Sequence, residues 1–465
     1  MTSSSFGCAD FRRAQAVSRR SLLTLGALTG VRLTLPNLFA ARQAAAAVGG
    51  SFARAKSVIM LYLHGGHPQH ETWDPKPGAP AEVRGEFGDI ATAVPGTRFS
   101  ELLPRSAAIA DRLTIIRSLT HENPNHVQAS LPAMTGHYHP KNVQGKGDFP
   151  PSATDFPGFG AVLDHVRPAP KELPTWVRIG PLMRRNNGTA LHGQSPGFLG
   201  DRHSAFAVDQ SLLGETIKIG AVAPQAEVPI VRLRSRRDLL SQFNEARKSL
   251  DDTATTLAVG GFYERAFNLL SSDRVASAFH LSSESTTIRE RYGSTEFGQR
   301  CLLARRLAEA GVPMINVHFC ETPRDSFDTH NDNFRQMKNK LAPTFDQAFA
   351  GLVVDLAERG MLEDTLVIAT AEFGRTPKIN AKAGRDHWPS VYSIALAGAG
   401  LSPGVVYGAS DSLAAYPAAN PHGPEDFAAT LYHLLGVPRD TELHDMLGRP
   451  HQLVTGRPID GILAS

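Results

Sequence analysis

Cysteine is nearly absent, with three in 465 residues, and only Cys301 and Cys320 lie beyond residue 47. That excludes a disulfide framework and leaves either one Cys301–Cys320 bridge or two buried thiols. No block of lysine and arginine follows the first few dozen residues, and the formal net charge is only +3, so nothing asks for nucleic acid as a partner. No apolar run reaches the ~20 residues of a membrane span, because the longest N-terminal one, 22–38, contains Arg32 and Pro36. A single-loop metal motif such as His-Glu-x-x-His is missing too. Any metal site must therefore be assembled from separated segments.

What is present begins with a basic N-terminus holding Arg12, Arg13, Arg19 and Arg20, which runs into that interrupted apolar stretch. Ser18-Arg19-Arg20-Ser21-Leu22-Leu23 resembles the twin-arginine signature, and the alanines at 44–47 follow where a peptidase would cut. Residues 1–47 are expected to be a signal peptide read by the twin-arginine export machinery. The mature chain would then be periplasmic or secreted, without a stable membrane span after cleavage. A retained anchor is the alternative, which Arg32 and Pro36 disfavour. Cys8 precedes the apolar run, unlike a lipid-attachment cysteine.

Residues 48–465 are expected to form one large α/β domain. Short apolar runs at 57–63, 113–116, 175–179, 312–319, 365–370 and 391–396 read as strands, and helical spacing marks 102–113, 159–166, 234–270, 298–310, 334–358 and 424–435. Strands alternating with helices imply a mostly parallel central sheet with helices on both faces, since parallel strands need long crossovers. Residues 181–229, rich in Gly, Asn, Arg and Ser, look like an insertion.

Ligands in such sheets bind beyond the carboxyl ends of the strands, and the His-, Asp- and Glu-rich loops all fall there. Four of them, 64–70, 121–139, 325–330 and 372–387, would converge. Imidazole and carboxylate are the ligands of Zn, Mn or Fe in hydrolytic sites, and two such ions can clamp both oxygens of an in-line displacement. Glu372 ends a buried apolar strand, where a carboxylate needs a cation, either a metal or Arg375. Should Arg375 be free, its planar fork would suit the oxygens of a phosphate or sulfate.

His64-Gly65-Gly66 with Thr72-Trp73-Asp74-Pro75-Lys76-Pro77, Asp328-Thr329-His330, Glu372-Phe373-Gly374-Arg375-Thr376-Pro377 and Gly384-Arg385-Asp386-His387-Trp388-Pro389 together resemble the bacterial family known as domain of unknown function 1501. The tail Gly448-Arg449-Pro450 with Leu453 fits as well. That family is related to the alkaline phosphatase and sulfatase superfamily, which implies an alkaline phosphatase/sulfatase-like fold over nearly the whole mature chain. Glu372-Phe373 is similar to the superfamily's metal-binding Asp-His pair, with Phe373 in place of histidine. Asp328 and His330 resemble the Asp and His of the other metal, and His387 the late histidine ligand. The stretch 126–136, ending in Met134-Thr135-Gly136, is similar to the sulfatase signature and puts His126 where the nucleophile would be.

The resemblance implies a metal-dependent hydrolase of phosphate or sulfate esters, whose substrate is a small molecule or a polysaccharide. Asp328, His330 and His387 would bind one divalent cation, Zn, Mn or Fe. His64, Glu372 and Asp386 would gather near a second. His126 and Arg375 are the expected catalytic residues, His126 as nucleophile or general acid–base; its bland alternative is a helix-start residue that caps or packs. His67 and His70 read as loop polar residues, and His137 and His139 as surface. Loss of the usual nucleophile also fits a non-catalytic binding or assembly module, or an enzyme that moves a phosphoryl group without serine or threonine.

Overall fold

Ser57–Tyr62 (β1) is six residues buried on both sides, which only a strand at the centre of a sheet can be. In the computed structural model, residues 50–144, 146–170, 173–213, 273–319 and 326–464 are described. The expected signal at 1–47, the helix expected over 234–270, Cys320 and Asp325 lie outside them.

β1 is joined in an eight-stranded sheet by Leu113–Leu119 (β2), Trp176–Ile179 (β3), Phe206–Val208 (β4), Met314–His318 (β5), Thr365–Thr370 (β6), Tyr392–Ala397 (β7) and Val405–Tyr407 (β8). Their order is β8-β2-β7-β6-β1-β5-β3-β4. All adjacent pairs are parallel except those made by β7, which runs antiparallel to both β2 and β6. The reversal has a use. The loop that enters β7 lies at the same sheet edge as the loops that leave β1, β5 and β6, and this entering loop carries His387.

Alternation along β1 divides the core. Ile59 and Leu61 pack with Cys301 and Leu302 of Glu296–Glu309 and with Phe345 and Phe349 of Ala342–Glu358. Val58 and Met60 pack on the other face with Leu163 of Phe159–Val166 and Leu431 of Pro424–Leu434. The sheet is thus mostly parallel and covered by helices on both faces, as a period of two in a doubly buried strand requires.

Two expectations change in detail. The helical pattern over 334–358 is interrupted: Asn333–Gln336 passes through a π turn at Met337–Leu341 before Ala342–Glu358 resumes. Pro343 is the cause we assign, since it has no N–H to donate to the preceding turn. Within the stretch read as an insertion, Phe206–Val208 is the edge strand β4 of the main sheet, paired to β3, so that part is integral to the fold. Cys301 is a free thiol, fully buried. No helix among the described residues is long and apolar enough to cross a membrane.

Candidate metal centre

Register at the centre of the sheet explains how distant residues meet. β1 pairs Tyr62 with His318 of β5 and Thr370 of β6, so the three chains leave the sheet side by side. His64 and Glu372 each lie two residues past those strand ends, and Gly65 N donates to Glu372 Oε1 at 2.9 Å. Phe327 N donates to His64 O at 2.8 Å, which ties down the segment carrying Asp328. Gly65 has φ +102, and a Cβ there would meet Asp328 N at 2.3 Å. Only glycine permits that approach.

His126 opens the helix His126–Thr135 (α1), whose ten residues are all buried. Asn125 caps it by accepting from Gln128 N at 3.1 Å, and Gly136 ends it in the left-handed conformation. His387 arrives on a short hairpin in which it pairs with Arg375. Gly384 lets that hairpin loop pass over His330, whose carbonyl oxygen would lie 1.9 Å from a Cβ.

Three imidazoles converge on one carboxylate oxygen. Asp328 Oδ1 lies 3.2 Å from His126 Nε2, 3.0 Å from His330 Nε2 and 3.1 Å from His387 Nε2. The opposite nitrogen of each ring is tethered. Nδ1 of His126 donates to Glu372 Oε1 at 2.5 Å, Nδ1 of His330 to Asp386 Oδ1 at 2.6 Å, and Nδ1 of His387 to Pro124 O at 2.7 Å. With a proton on each Nδ1, three Nε2 lone pairs face one another and a carboxylate, the arrangement that outer partners impose on metal-ligating histidines. His126 Nε2 is buried and makes no hydrogen bond in spite of its proximity to Asp328. A tetrahedral cation with ligands at ~2.0–2.1 Å needs its donors about 3.3 Å apart. The spacings to Asp328 and the 2.8 Å between His330 Nε2 and His387 Nε2 fit a closely drawn version of that set. The side chains grade from 0% exposure at His126 to 38% at His330, so the cluster has a floor and an open side.

Electrostatics follow from burial and these contacts. Burial alone would raise the Asp328 carboxyl, but the imidazoles of His126, His330 and His387 ranged around it hold it far below the usual range. Burial would likewise raise Glu372, and His126 brings it down to about 2. His330 is raised, first by its hydrogen bond to Asp328. Burial lowers His387 and His64 to about 4.

Residues 55–463 match the family described as "Protein of unknown function (DUF1501)". The chain belongs to the DUF1501 family. No curated protein matches the sequence. Among solved structures, this DUF1501 chain is similar to Ps i-CgsB in complex with k-i-k-neocarrahexaose, at 12% identity over 82% of this chain and 72% of that one, with a TM-score of 0.41. It is similar to the PsFucS1 sulfatase from Pseudoalteromonas sp. at 13% identity, 85% and 70% coverage and a TM-score of 0.36. The phosphonate monoester hydrolase of Agrobacterium radiobacter gives 11%, 88% and 77%, and 0.37.

The DUF1501 chain brings Asp328, His330 and His387 together, and adds His126 as a fourth candidate ligand. His126 was expected as a catalytic group; here its Nδ1 is tied to Glu372 Oε1, and its Nε2 faces Asp328 without a hydrogen bond. The second expected set does not gather. Asp386 turns to His330 Nδ1 and lies 53% exposed, while Glu372 and His64 stay buried at the floor. Both His64 ring nitrogens and Glu372 Oε2 lack a hydrogen bond there. Arg375 is corrected as well. It is wholly buried, pairs with Asp328 Oδ1 at 2.7 Å and not with Glu372, and spends its other donors on the carbonyls of Gly65, Gly66 and Arg385. With its side chain fully buried and most of its donors spent inside the protein, the fork is not presented to a substrate. Phe373 packs its ring 4.8 Å from His126 and 4.6 Å from His387, an apolar wall where the resemblance implied a lost ligand.

Sequence reasoning missed Arg185, in the stretch read as an insertion. Its Nη1 lies 3.8 Å from Asp328 Oδ2, and its side chain is 28% exposed. His139, expected at the surface, is 5% exposed, and His137 is half-buried against Phe156.

His67, His70 and His318 are buried and hydrogen-bonded to the carbonyls of Ser393, Leu413 and Pro181. Burial lowers them to about 4, 3 and 3 respectively. In the unfolded chain they take up protons near pH 6.5, so below that pH the unfolded state binds more protons and gains. The midpoint of urea unfolding of metal-free protein is expected to fall steadily from pH 6.5 towards 4. A flat midpoint over that interval would contradict the neutral, buried state of these rings.

Proposed function

We propose that this protein is an exported, metal-dependent hydrolase of phosphate or sulfate esters, with one divalent cation held by His126, Asp328, His330 and His387. The observation that carries the reading is the set of three Nε2 atoms turned onto one carboxylate oxygen while every Nδ1 is tethered. Zn, Mn or Fe suits a three-imidazole, one-carboxylate set. When bound, such a cation would supply Lewis acidity; four protein donors fill a tetrahedral shell, so lowering the pKa of a bound water to about 7, in place of a serine, threonine or cysteine nucleophile, would require a further position at the open side beside His330.

The chain's own residues complete the site. Glu372 and Asp386 hold His126 and His330 in the ligating tautomer. Phe373 excludes water from one flank. Arg185, in place of the spent Arg375, is the cation that meets an anionic ester at the open side, where its guanidinium fork matches two ester oxygens. A small-molecule or polysaccharide ester both remain within this reading. The rival is a binding module on the same scaffold.

Untagged protein should carry stoichiometric metal and hydrolyse members of an aryl phosphate and sulfate ester panel. Turnover should vanish with chelator and return with Zn(II) or Mn(II). In Arg185→Ala, KM should rise more than kcat falls. Metal without turnover on any ester would favour the binding module, and turnover indifferent to chelator would end the metal mechanism. Export by the twin-arginine machinery rests on Arg19 and Arg20. Arg19→Lys with Arg20→Lys should strand the protein in the cytoplasm, and undiminished export of the double variant would refute that route.

A further inference from the structure

A second constellation of the same chemistry is made of residues that no part of the mechanism uses. His139, Asp155 and His192 each offer a ligand atom, and the three atoms lie within 4.8 Å of one another. They come from stretches almost without regular structure, since beside them the backbone forms only the isolated bridge between Arg184 and Ala190. The side chains of His192 and Asp155 are 0% and 9% exposed, and His139 is 5% exposed.

The hydrogen bonds of the group do not close by themselves. His192 faces Phe149 O with Nε2 at 3.0 Å, and Asp155 Oδ2 with Nδ1 at 2.5 Å. Both facing atoms are acceptors, so a neutral imidazole can satisfy only one of them. His139 Nε2 is buried and has no hydrogen-bond partner at all. Its ring stands edge-on to His192 at 4.5 Å and to Phe149 at 5.2 Å, so apolar surroundings supply nothing. One orphaned imidazole nitrogen, one imidazole that could serve both its acceptors only by carrying a second proton, and one carboxylate are what a cation would satisfy together. With Nε2–H of His192 donated to the Phe149 carbonyl, its Nδ1 lone pair points at Asp155, the same outer tether that marks the first centre.

We propose that His139, Asp155 and His192 bind a second divalent transition-metal ion, distinct from the cluster around Asp328. Two imidazoles and a carboxylate suit Zn(II). Its place in the fold gives it work. The neighbouring Asp148 accepts from Asn125 Nδ2 at 2.8 Å and Asn187 Nδ2 at 2.9 Å, and Arg185 Nε lies 3.6 Å away. An ion joining His139, Asp155 and His192 staples the loop of Asp148 to the loop of Arg185. It thereby holds Arg185 at the rim near Asp328. The staple does not depend on the hydrolase reading.

The test is metal stoichiometry in untagged, full-length protein stripped with chelator and titrated with Zn(II), with content read by mass spectrometry. Wild type should take two ions per chain, His139→Leu one, His330→Ala one, and the double variant none. His139→Leu is the informative change because that ring makes no hydrogen bond through Nε2 and leucine preserves the packing, so the variant should fold; circular dichroism checks this. Asp155→Asn, which keeps the shape of the loop, should also lose one ion. In wild type alone, Zn(II) should raise the thermal midpoint in two saturable steps. Uptake by wild type of a single ion that His330→Ala loses and His139→Leu keeps, or two ions retained by both His139→Leu and Asp155→Asn, overturns the proposal. Loss of one ion in His139→Leu with none lost in His330→Ala would keep it and sink the Asp328 centre instead, so the two readings fail separately.

Discussion

Asp328→Asn is expected to abolish metal binding at the central cluster and to lower the unfolding free energy of the metal-free protein by about 3–5 kcal/mol. The first effect follows from geometry. Oδ1 is the atom on which His126, His330 and His387 converge, and an amide in its place offers a neutral oxygen or, turned over, a donor that clashes with the ligating tautomers. The second follows from Arg375. That guanidinium is wholly buried, burial already presses on its charge, and Asp328 at 2.7 Å is the carboxylate that its fork touches. Without the charge, the arginine keeps only its carbonyl contacts with Gly65, Gly66 and Arg385. Removing one partner of such a pair leaves the other ionised and uncompensated in a poor solvent for charge. Urea titration with and without chelator separates the two effects. Metal retained at full stoichiometry would remove Asp328 from the metal site, and an unchanged unfolding midpoint in metal-free protein would remove it from the support of Arg375. His330→Ala provides the contrast. It should lose the ion while costing much less stability, because His330 is partly exposed and Arg375 keeps its partner.

The fold was legible because its strands are continuous apolar runs: Thr365–Thr370 stands where the sequence pattern put it, and Ser57–Tyr62 within a residue. Asp328, His330 and His387 were legible because strand-end loops of an open sheet must share one rim. What escaped is what local pattern does not encode. Asp386 adjoins His387 in sequence and was grouped with the buried set, yet neighbouring residues of an extended segment point in opposite directions. Asp386 therefore supports His330 from outside while His387 looks inward. His126 pairs with Glu372 across 246 residues, and nothing at a helix start distinguishes a ligand from a cap. Arg375 and Glu372 are close in sequence, which suggested a pair, but the strand pairing Gly374–Arg375 carries the guanidinium away to Asp328. His139, Asp155 and His192 lie in segments without period, where burial could not be inferred from spacing.

Glu71→Gln, far from any ligand in sequence, should weaken metal binding about 10–100-fold, as removal of an outer partner does, and destabilise the protein by about 3–5 kcal/mol. Glu71 and Arg385 form a pair at 1% and 0% exposure, with Arg385 Nε 3.1 and 3.0 Å from the two carboxylate oxygens and Nη2 2.6 Å from Oε1. This pair is the clamp between the loop leaving β1 and the loop that delivers His387. Arg385 also donates to the carbonyls of Val83, Thr376 and Pro377, so both terminal nitrogens of its guanidinium are fixed to backbone while Nε serves Glu71. The hairpin that follows has only two residue pairs of its own, His387 with Arg375 and Trp388 with Gly374, too few to set the direction of a ligand unaided. Loss of the carboxylate leaves a buried cation that can recover solvation only by moving, and its movement carries Asp386 and His387 with it. Arg385→Lys separates charge from shape: the ammonium retains the ion pair but not the simultaneous reach to Val83, Thr376 and Pro377. It should therefore lose metal affinity while sparing more of the stability. Calorimetric titration of Zn(II) into Glu71→Gln decides the matter. Wild-type affinity in a variant shown to be destabilised would mean that the clamp serves the fold alone, and that His387 is held in place by its Pro124 and Asp328 contacts instead.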